Sequence, residues 1–182
     1  MTGNGIPTPI PSIVPGSNVM SNITVELVKK GFMYTLQCVF SDLAVGVTKD
    51  ILIDPSAFIG KFGVLYNFKY GVTQGKALAE FFGGGTYIEG TPLLILNRNE
   101  NSANTAETVI SEDPTVSILG AGGYKYMAGG EAQGNNLSGG TGGDKDFPTE
   151  INISVPRLLR IIQSEGSGTF DLELRLVFAE IK

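Results

Sequence analysis

The sequence predicts an all-β domain, an antiparallel β-sandwich of jelly-roll-like type with an extended N-terminal arm. Two observations support it. Apolar residues recur at every second position in several separate rows, the spacing that sets one side of a strand on a core and the other on solvent. Between the rows stand turn-forming corners such as Lys29-Lys30-Gly31, Asp54-Pro55, Glu89-Gly90-Thr91-Pro92 and Ser111-Glu112-Asp113-Pro114. About eight to ten short strands with such corners fit two packed sheets, with an edge-closed barrel as the alternative. The organisation expected is an arm over residues 1–22 and a single domain over 23–182, interrupted by a glycine-rich excursion at 120–149.

The arm comes first. No charged side chain precedes Glu26, and Pro7, Pro9, Pro11 and Pro15 alternate with Ile6, Ile10, Ile13 and Val14. Proline removes donors and favours extended backbone, so no helix is expected here. The segment reads either as a solvated tail or as an arm lying along a neighbouring subunit. Four β-branched side chains have little reason to stand in water, which favours the second reading.

Alternation begins at Ile23, with Ile23, Val25 and Leu27 on one face. A longer strand follows over 32–40, where Phe32, Tyr34, Leu36, Cys38 and Phe40 share a face. Ile51–Ile53 is a short strand. In 62–72 the expected inner row is Phe62, Val64, Tyr66, Phe68 and Tyr70. Residues 76–82 contain helix formers but lie between glycines, and a strand is preferred to a short helix. Strands are expected at 93–96, 105–110 and 115–119. Ten glycines then fall between Gly120 and Gly143, too many for a sheet core because glycine has no side chain to pack. Ile151, Ile153 and Val155 alternate, and Arg157–Gln163 is a strand edge or one helical turn. The clearest strand is the last: Phe170, Leu172, Leu174, Leu176 and Phe178 face inward, Asp171, Glu173 and Arg175 outward.

Composition narrows the chemistry. The chain has 13 basic and 18 acidic side chains, net −5, with no basic stripe, so a sequence-independent nucleic-acid binder is not expected. Histidine is absent, which removes the usual general base near neutral pH and the commonest metal ligand. The lone cysteine, Cys38, falls in an apolar row and reads as a buried thiol. No stretch is apolar enough for a transmembrane helix, and the N-terminus lacks a secretory signal pattern, so neither a membrane nor export is expected. Glu89, Glu100, Glu107, Glu112 and Asp113 could supply paired carboxylates for glycoside hydrolysis, but they stand in corners, and tryptophan for a sugar groove is absent. No enzyme and no cofactor are expected. Gly120-Ala121-Gly122-Gly123 and Gly83-Gly84-Gly85 lack the phosphate-loop pattern, and Asp50 with Asp54 or Asp144 with Asp146 is too sparse for calcium.

Two stretches go further. Residues 89–102 read Glu-Gly-Thr-Pro-Leu-Leu-Ile-Leu-Asn-Arg-Asn-Glu-Asn-Ser, and 112–120 read Glu-Asp-Pro-Thr-Val-Ser-Ile-Leu-Gly. They resemble a family of small tailed-bacteriophage virion proteins of the capsid decoration or cement type. The matching positions are Gly90-Thr91, Asn97-Arg98-Asn99, Asn101-Ser102, Pro114-Thr115-Val116 and the region around Leu158–Ile162, within a likeness over residues 45–180. Glu100 departs from the pattern, standing where a second arginine is usual, and the proline arm has no counterpart in it.

The resemblance implies a structural protein on the virion capsid surface, made in the host cytoplasm. It would stabilise contacts between major capsid subunits and associate with copies of itself, with a trimer as the expected order. Ile6, Pro7, Pro9, Ile10, Pro11, Ile13, Val14, Arg98, Tyr124 and Tyr126 are the expected interface residues. Asn97, Asn99 and Asn101 tolerate left-handed backbone and bond to nearby main chain, which fixes a corner. Arg98 either binds a carboxylate with its planar fork or satisfies loop carbonyls. The alternatives are a tail-associated structural protein, or a displayed module that binds host-surface glycans on Tyr87, Tyr124 and Tyr126.

Overall fold

The apolar rows become the facing sides of two antiparallel sheets in a computed structural model that describes residues 18–57, 62–73, 75–130, 151–152, 155–166 and 168–181. The first element is a helix, α1 (Asn18–Lys29). The strands follow as β1 (Met33–Ala44), β2 (Thr48–Asp54), β3 (Phe62–Val72), β4 (Gly75–Gly83), β5 (Thr86–Ile88), β6 (Thr91–Pro92) and β7 (Leu96–Asn97). After these come β8 (Val109–Glu112), β9 (Thr115–Ile118), β10 (Ala121–Gly130), β11 (Ile151–Asn152), β12 (Arg157–Glu165) and β13 (Thr169–Ile181). The first sheet has the order β11-β3-β13-β1-β7, the second β10-β4-β12-β2-β8-β6, and β5 with β9 forms a small third ladder. Among the described residues the strands pair antiparallel throughout, and the fold is all-β apart from α1.

The core lies between the two large sheets. β13 supplies Phe170, Leu172, Leu174, Leu176 and Phe178, all buried, as its alternation predicts. β1 meets them with Tyr34, Leu36 and Phe40, and the second sheet contributes Ile51, Ile53, Ala79, Phe81, Leu159 and Ile161. Each fully buried leucine or phenylalanine here removes enough apolar surface to favour the fold by about 2 kcal/mol. The rings of Tyr34 and Phe178 stack at 5.5 Å.

Several expectations need correction. Ile23–Leu27 is helical, not a strand. Val25 and Leu27, expected on one face, are separated: Leu27 is buried while Val25 is exposed, as a two-residue step of about 200° around a helix requires. The helix starts at Asn18, so it takes the last residues of the stretch read as an arm over 1–22. The interface residues expected in that arm, Ile6, Pro7, Pro9, Ile10, Pro11, Ile13 and Val14, lie outside the described residues, as do Ile153 and residues 131–149. The start of the glycine-rich excursion is a strand, β10, paired with β4 at the edge of the second sheet. Glycine has no side chain for a core, but backbone pairing does not require one.

Residues 93–96 are not one strand. Thr91 and Pro92 pair with β8 in the second sheet, Leu96 and Asn97 with β1 in the first, and the chain between them crosses the side of the fold. In β3 only Tyr70 of the expected inner row has a described side chain, and it is buried. The register against β13 shifts between Val177 and Phe178, so Leu65 and Tyr70, which differ in parity, both enter the core. Arg157–Glu165 is a strand between β4 and β2, not an edge or a helical turn. Gly75–Gly83 is the strand the glycines indicated.

A second, smaller cluster lies on the outer side of the first sheet. Leu27 of α1 packs there on Met33, Val177 and Ala179, with Val28, Phe32 and Ile181 around them. Only this end of the sheet is covered by α1. Farther along, Gln37, Val39, Glu173 and Arg175 lie on the same strands; of these Gln37, Glu173 and Arg175 are exposed and Val39 is 60% exposed.

Candidate functional site

The Asn97–Asn104 loop sits on the end of α1. That helix stops at Gly31, whose φ of +70° is a left-handed conformation glycine adopts without strain. The Gly31 amide donates to the Val28 carbonyl at 2.9 Å and the Phe32 amide to the Leu27 carbonyl at 2.9 Å. The next carbonyls have no helical partner and would be orphaned. The loop supplies the donors. Asn99 Nδ2 donates to the Lys29 carbonyl at 3.0 Å, Asn97 Nδ2 to the Gly31 carbonyl at 3.0 Å, and Asn104 Nδ2 to the Lys30 and Gly31 carbonyls at 3.3 Å each.

The loop also holds its own shape. Asn97 Oδ1 accepts from the Asn99 amide at 2.8 Å, Asn99 Oδ1 from the Asn101 amide at 3.1 Å, and Ser102 Oγ from the Asn104 amide at 3.2 Å. These are local side-chain turns of the kind the Asn-Arg-Asn run suggests. The corner does not draw on the asparagines' tolerance of left-handed backbone: among the described non-glycine residues only Asp42 and Asp113 have positive φ.

Arg98 lies between these asparagines. Its amide donates to the Met33 carbonyl at 2.9 Å, and its Nη1 approaches Met33 Sδ at 3.5 Å. No carboxylate pairs with it among the described residues. Leu94, Leu96 and Arg98 occupy alternate positions. Leu94 is 75% and Leu96 55% exposed. Leu93 and Ile95, between them, pack on the core. The result is an apolar stripe ending in a cation.

Most other charged groups are bound within the fold. Lys49, only 8% exposed, donates to Glu112 Oε2 at 2.5 Å and Asp113 Oδ2 at 2.8 Å, and its ammonium stands 4.4 Å from the Phe40 ring centroid. Burial acts to lower its pKa, but its hydrogen bonds to Asp113 and Glu112 and their charges together outweigh it and the net shift is upward. Arg160 grips Asp50 with two parallel bonds of 2.8 and 2.6 Å, and chiefly these raise its pKa. Asp54 accepts from the Ser56 amide at 2.8 Å. Asp144 and Asp146 lie outside the described residues. Among the described residues no three His, Cys, Asp or Glu side chains gather as a metal site.

Glu180 is absent from the candidates that sequence reasoning yields, yet it is fully buried. It accepts from the Glu107 amide at 3.0 and 3.1 Å and from the Thr108 amide at 2.6 Å, pinning that loop against β13. The signal is present in the chain: Glu180 continues the inward row that ends at Phe178. Its charge also bears on Tyr34, whose pKa is pushed up to about 12, mainly by burial and then by Glu180 and Glu107. The Tyr34 hydroxyl donates to the Thr105 carbonyl at 3.2 Å. Burial likewise pushes the Cys38 thiol up to about 11, so it is a poor nucleophile at neutral pH.

The tyrosines are separated from this region. Tyr126 belongs to β10 and pairs with Ala79, and Tyr124 lies in the irregular stretch between Gly122 and Lys125; their side chains lie outside the described ones. The Tyr87 hydroxyl is engaged by the Gly120 amide at 3.4 Å. Among the described residues no helix is long and apolar enough to cross a membrane. Comparison with known family models, curated proteins and solved structures finds no match to this chain.

Proposed function

We propose that this chain is a structural protein of a tailed-phage virion, of the capsid decoration or cement type, which stabilises contacts between major capsid subunits. The observation that carries this reading is the row Leu94, Leu96 and Arg98 with its two exposed leucines. The leucines of β12 and β13 are buried, whereas these two stand in solvent beside an arginine with no carboxylate partner among the described residues. Apolar anchors next to arginine are the side chains that protein interfaces favour. The Asn97–Asn104 loop supports the row by tying it to α1, so the contact surface is held rigid rather than displayed on a free loop.

We further propose that the winding is jelly-roll-like; the pairing of β1 and β2, which lie in different sheets, with β13 and β12 respectively supports this. We assign the partners as the major capsid protein and further copies of this chain. A trimer is the proposed order, because shells present three-fold sites and oligomers are symmetric.

The test is occupancy on purified particles. Leu94→Asp combined with Arg98→Glu replaces two residues of the row and leaves the core between the two sheets untouched. The expected result is a folded protein, by circular dichroism and thermal melting, whose copy number on the shell falls at least tenfold. Unchanged occupancy sinks the proposal.

A further inference from the structure

β1 changes from an enclosed strand to an edge strand partway along. β7 pairs with it only at Tyr34 and Thr35, and the chain before β7 departs toward the second sheet, where the Leu93 amide donates to the Ile110 carbonyl at 2.8 Å. Two bonds fix the backbone direction. The Phe32 carbonyl accepts from the Glu180 amide at 3.0 Å on the β13 side, and the Met33 carbonyl from the Arg98 amide at 2.9 Å on the β7 side. Alternation then turns the amides and carbonyls of Gln37 and Val39 away from β13, to the side where no described strand pairs with them. Both side chains are exposed, Val39 by 60%. On the inner face Cys38 is only half-buried, although Leu36 and Phe40, its neighbours in the same row, are buried. Solvent thus reaches the side of the core at this point. Charge, proline or a bulge commonly blunts such an edge. Residues 36–40, Leu-Gln-Cys-Val-Phe, have neither charge nor proline, and the register breaks only after them, between Phe40 and Leu43.

The stretch is complementary to itself. It runs from the end of the β7 pairing to the break after Phe40, and its midpoint is Cys38. A second copy laid antiparallel about that midpoint sets Gln37 of each chain opposite Val39 of the other, in the kind of pair that exchanges both backbone bonds. The two Cys38 side chains then meet over the part of the core left open. On the outer face β13 places Arg175 beside Gln37 and Glu173 beside Val39. Each row across the join reads Arg175, Gln37, Val39, Glu173, so uncharged side chains meet and the charges flanking them are opposite in sign. The register that sets Gln37 opposite Gln37 has an arginine on both sides, and it directs Val39 at Thr35, which β7 already holds.

We infer that β1 of one copy pairs antiparallel with β1 of a second copy through Gln37 and Val39, so that the two first sheets continue as one. A second copy is the occupant on two grounds. The charges alternate in sign across the join, as above. A strand that stayed straight past Leu36 would also run into β7, whereas β1 of a second copy reaches its own register break there, with Asp42 in left-handed backbone at φ +57°. The inference goes beyond the assembly reading above and stands independently of it. The contact is two-fold, in addition to the three-fold order proposed there.

Sedimentation of the full chain across a concentration series tests it. Val39→Pro removes an outward amide, and Val39→Lys sets a charge at the join while keeping the amide. Each is expected to weaken self-association by about tenfold or more. Val25→Lys makes the same exchange at an exposed position on α1 and is expected to match the wild type. Thermal melting checks that the variants fold, and Val39→Lys carries the test if Val39→Pro does not. Hydrogen exchange locates the contact: the Gln37 amide should exchange more slowly in the associated wild type than in Val39→Lys. A wild type that stays monomeric at every concentration overturns the inference. So does association that Val39→Lys leaves unchanged, that Val25→Lys weakens equally, or that leaves the Gln37 amide unprotected.

Discussion

The two halves of β1 have opposite surroundings. Met33–Thr35 are enclosed: α1 lies on one face, Tyr34 stacks on Phe178 in the other, β13 pairs on one side and β7 on the other. Past Thr35 the strand keeps β13 but has no described strand on its second side, and Val39 stands in solvent. The enclosed half is where backbone groups lack a regular partner, at the end of α1 and in the 105–108 loop. There the chain supplies Asn97, Asn99, Asn104 and Glu180 to bind them. Along the open half no described residue does the same for the outward amides. Where a protein completes its own bonding, it gains stability; where it leaves bonding incomplete, it can associate.

The largest test of the contrast is Glu180→Ala. It leaves the Glu107 and Thr108 amides without the carboxylate, and hydrogen bonds to a charged group imply a loss of about 3 kcal/mol in urea unfolding. Gly31→Ala comes next. A methyl there would lie 2.0 Å from Ser102 Oγ in a left-handed backbone, for a cost of about 2 kcal/mol read by the same denaturation.

Alkaline pH acts on both halves, through Tyr34 in the enclosed one and Cys38 in the open one. Each holds its proton more tightly folded than unfolded, so the stability they confer is complete below about pH 9. It is lost from 9 toward 11 for Cys38 and from 10 toward 12 for Tyr34, and pH-resolved melting should follow that course. A midpoint that rises across this range contradicts the assignment. Asn99→Ala removes one cap and one turn bond near the surface, for about 1 kcal/mol. Val39→Lys should be the smallest, within about 0.5 kcal/mol for the monomer, since the side chain is exposed.

Much of the enclosed half is legible in the sequence. The rows at 32–40 and 170–178 predict the two central strands and, apart from Phe32, which packs in the outer cluster beside α1, the face each turns to the core between the sheets. The asparagine run announces a fixed corner. What it fixes is not legible: the helix end it caps is about seventy residues earlier in the chain, as the Asn99 to Lys29 bond shows. α1 itself is hidden because three apolar residues at alternate positions are too few to separate a strand from a short helix, and the stop signal at Gly31 serves a turn between strands equally well. The crossing at 93–96 keeps strand-like alternation while pairing with two different sheets, a distinction no local pattern contains. β10 is concealed because glycine marks loops by composition but can pair by backbone.

The position of β13 has a kinetic consequence. It lies between β1 and β3, and joins Met33 to Ala179 and Tyr70 to Leu174. Of the described strands the one that completes the first sheet is thus synthesised last, and β1 must wait for a partner more than a hundred residues downstream. Closing so long a loop costs entropy before any contact repays it. Formation of the first sheet should accordingly be slow and wait until β13 has been synthesised. Until then β1 lacks its longest partner, and a chain truncated before residue 169 has a core that cannot close.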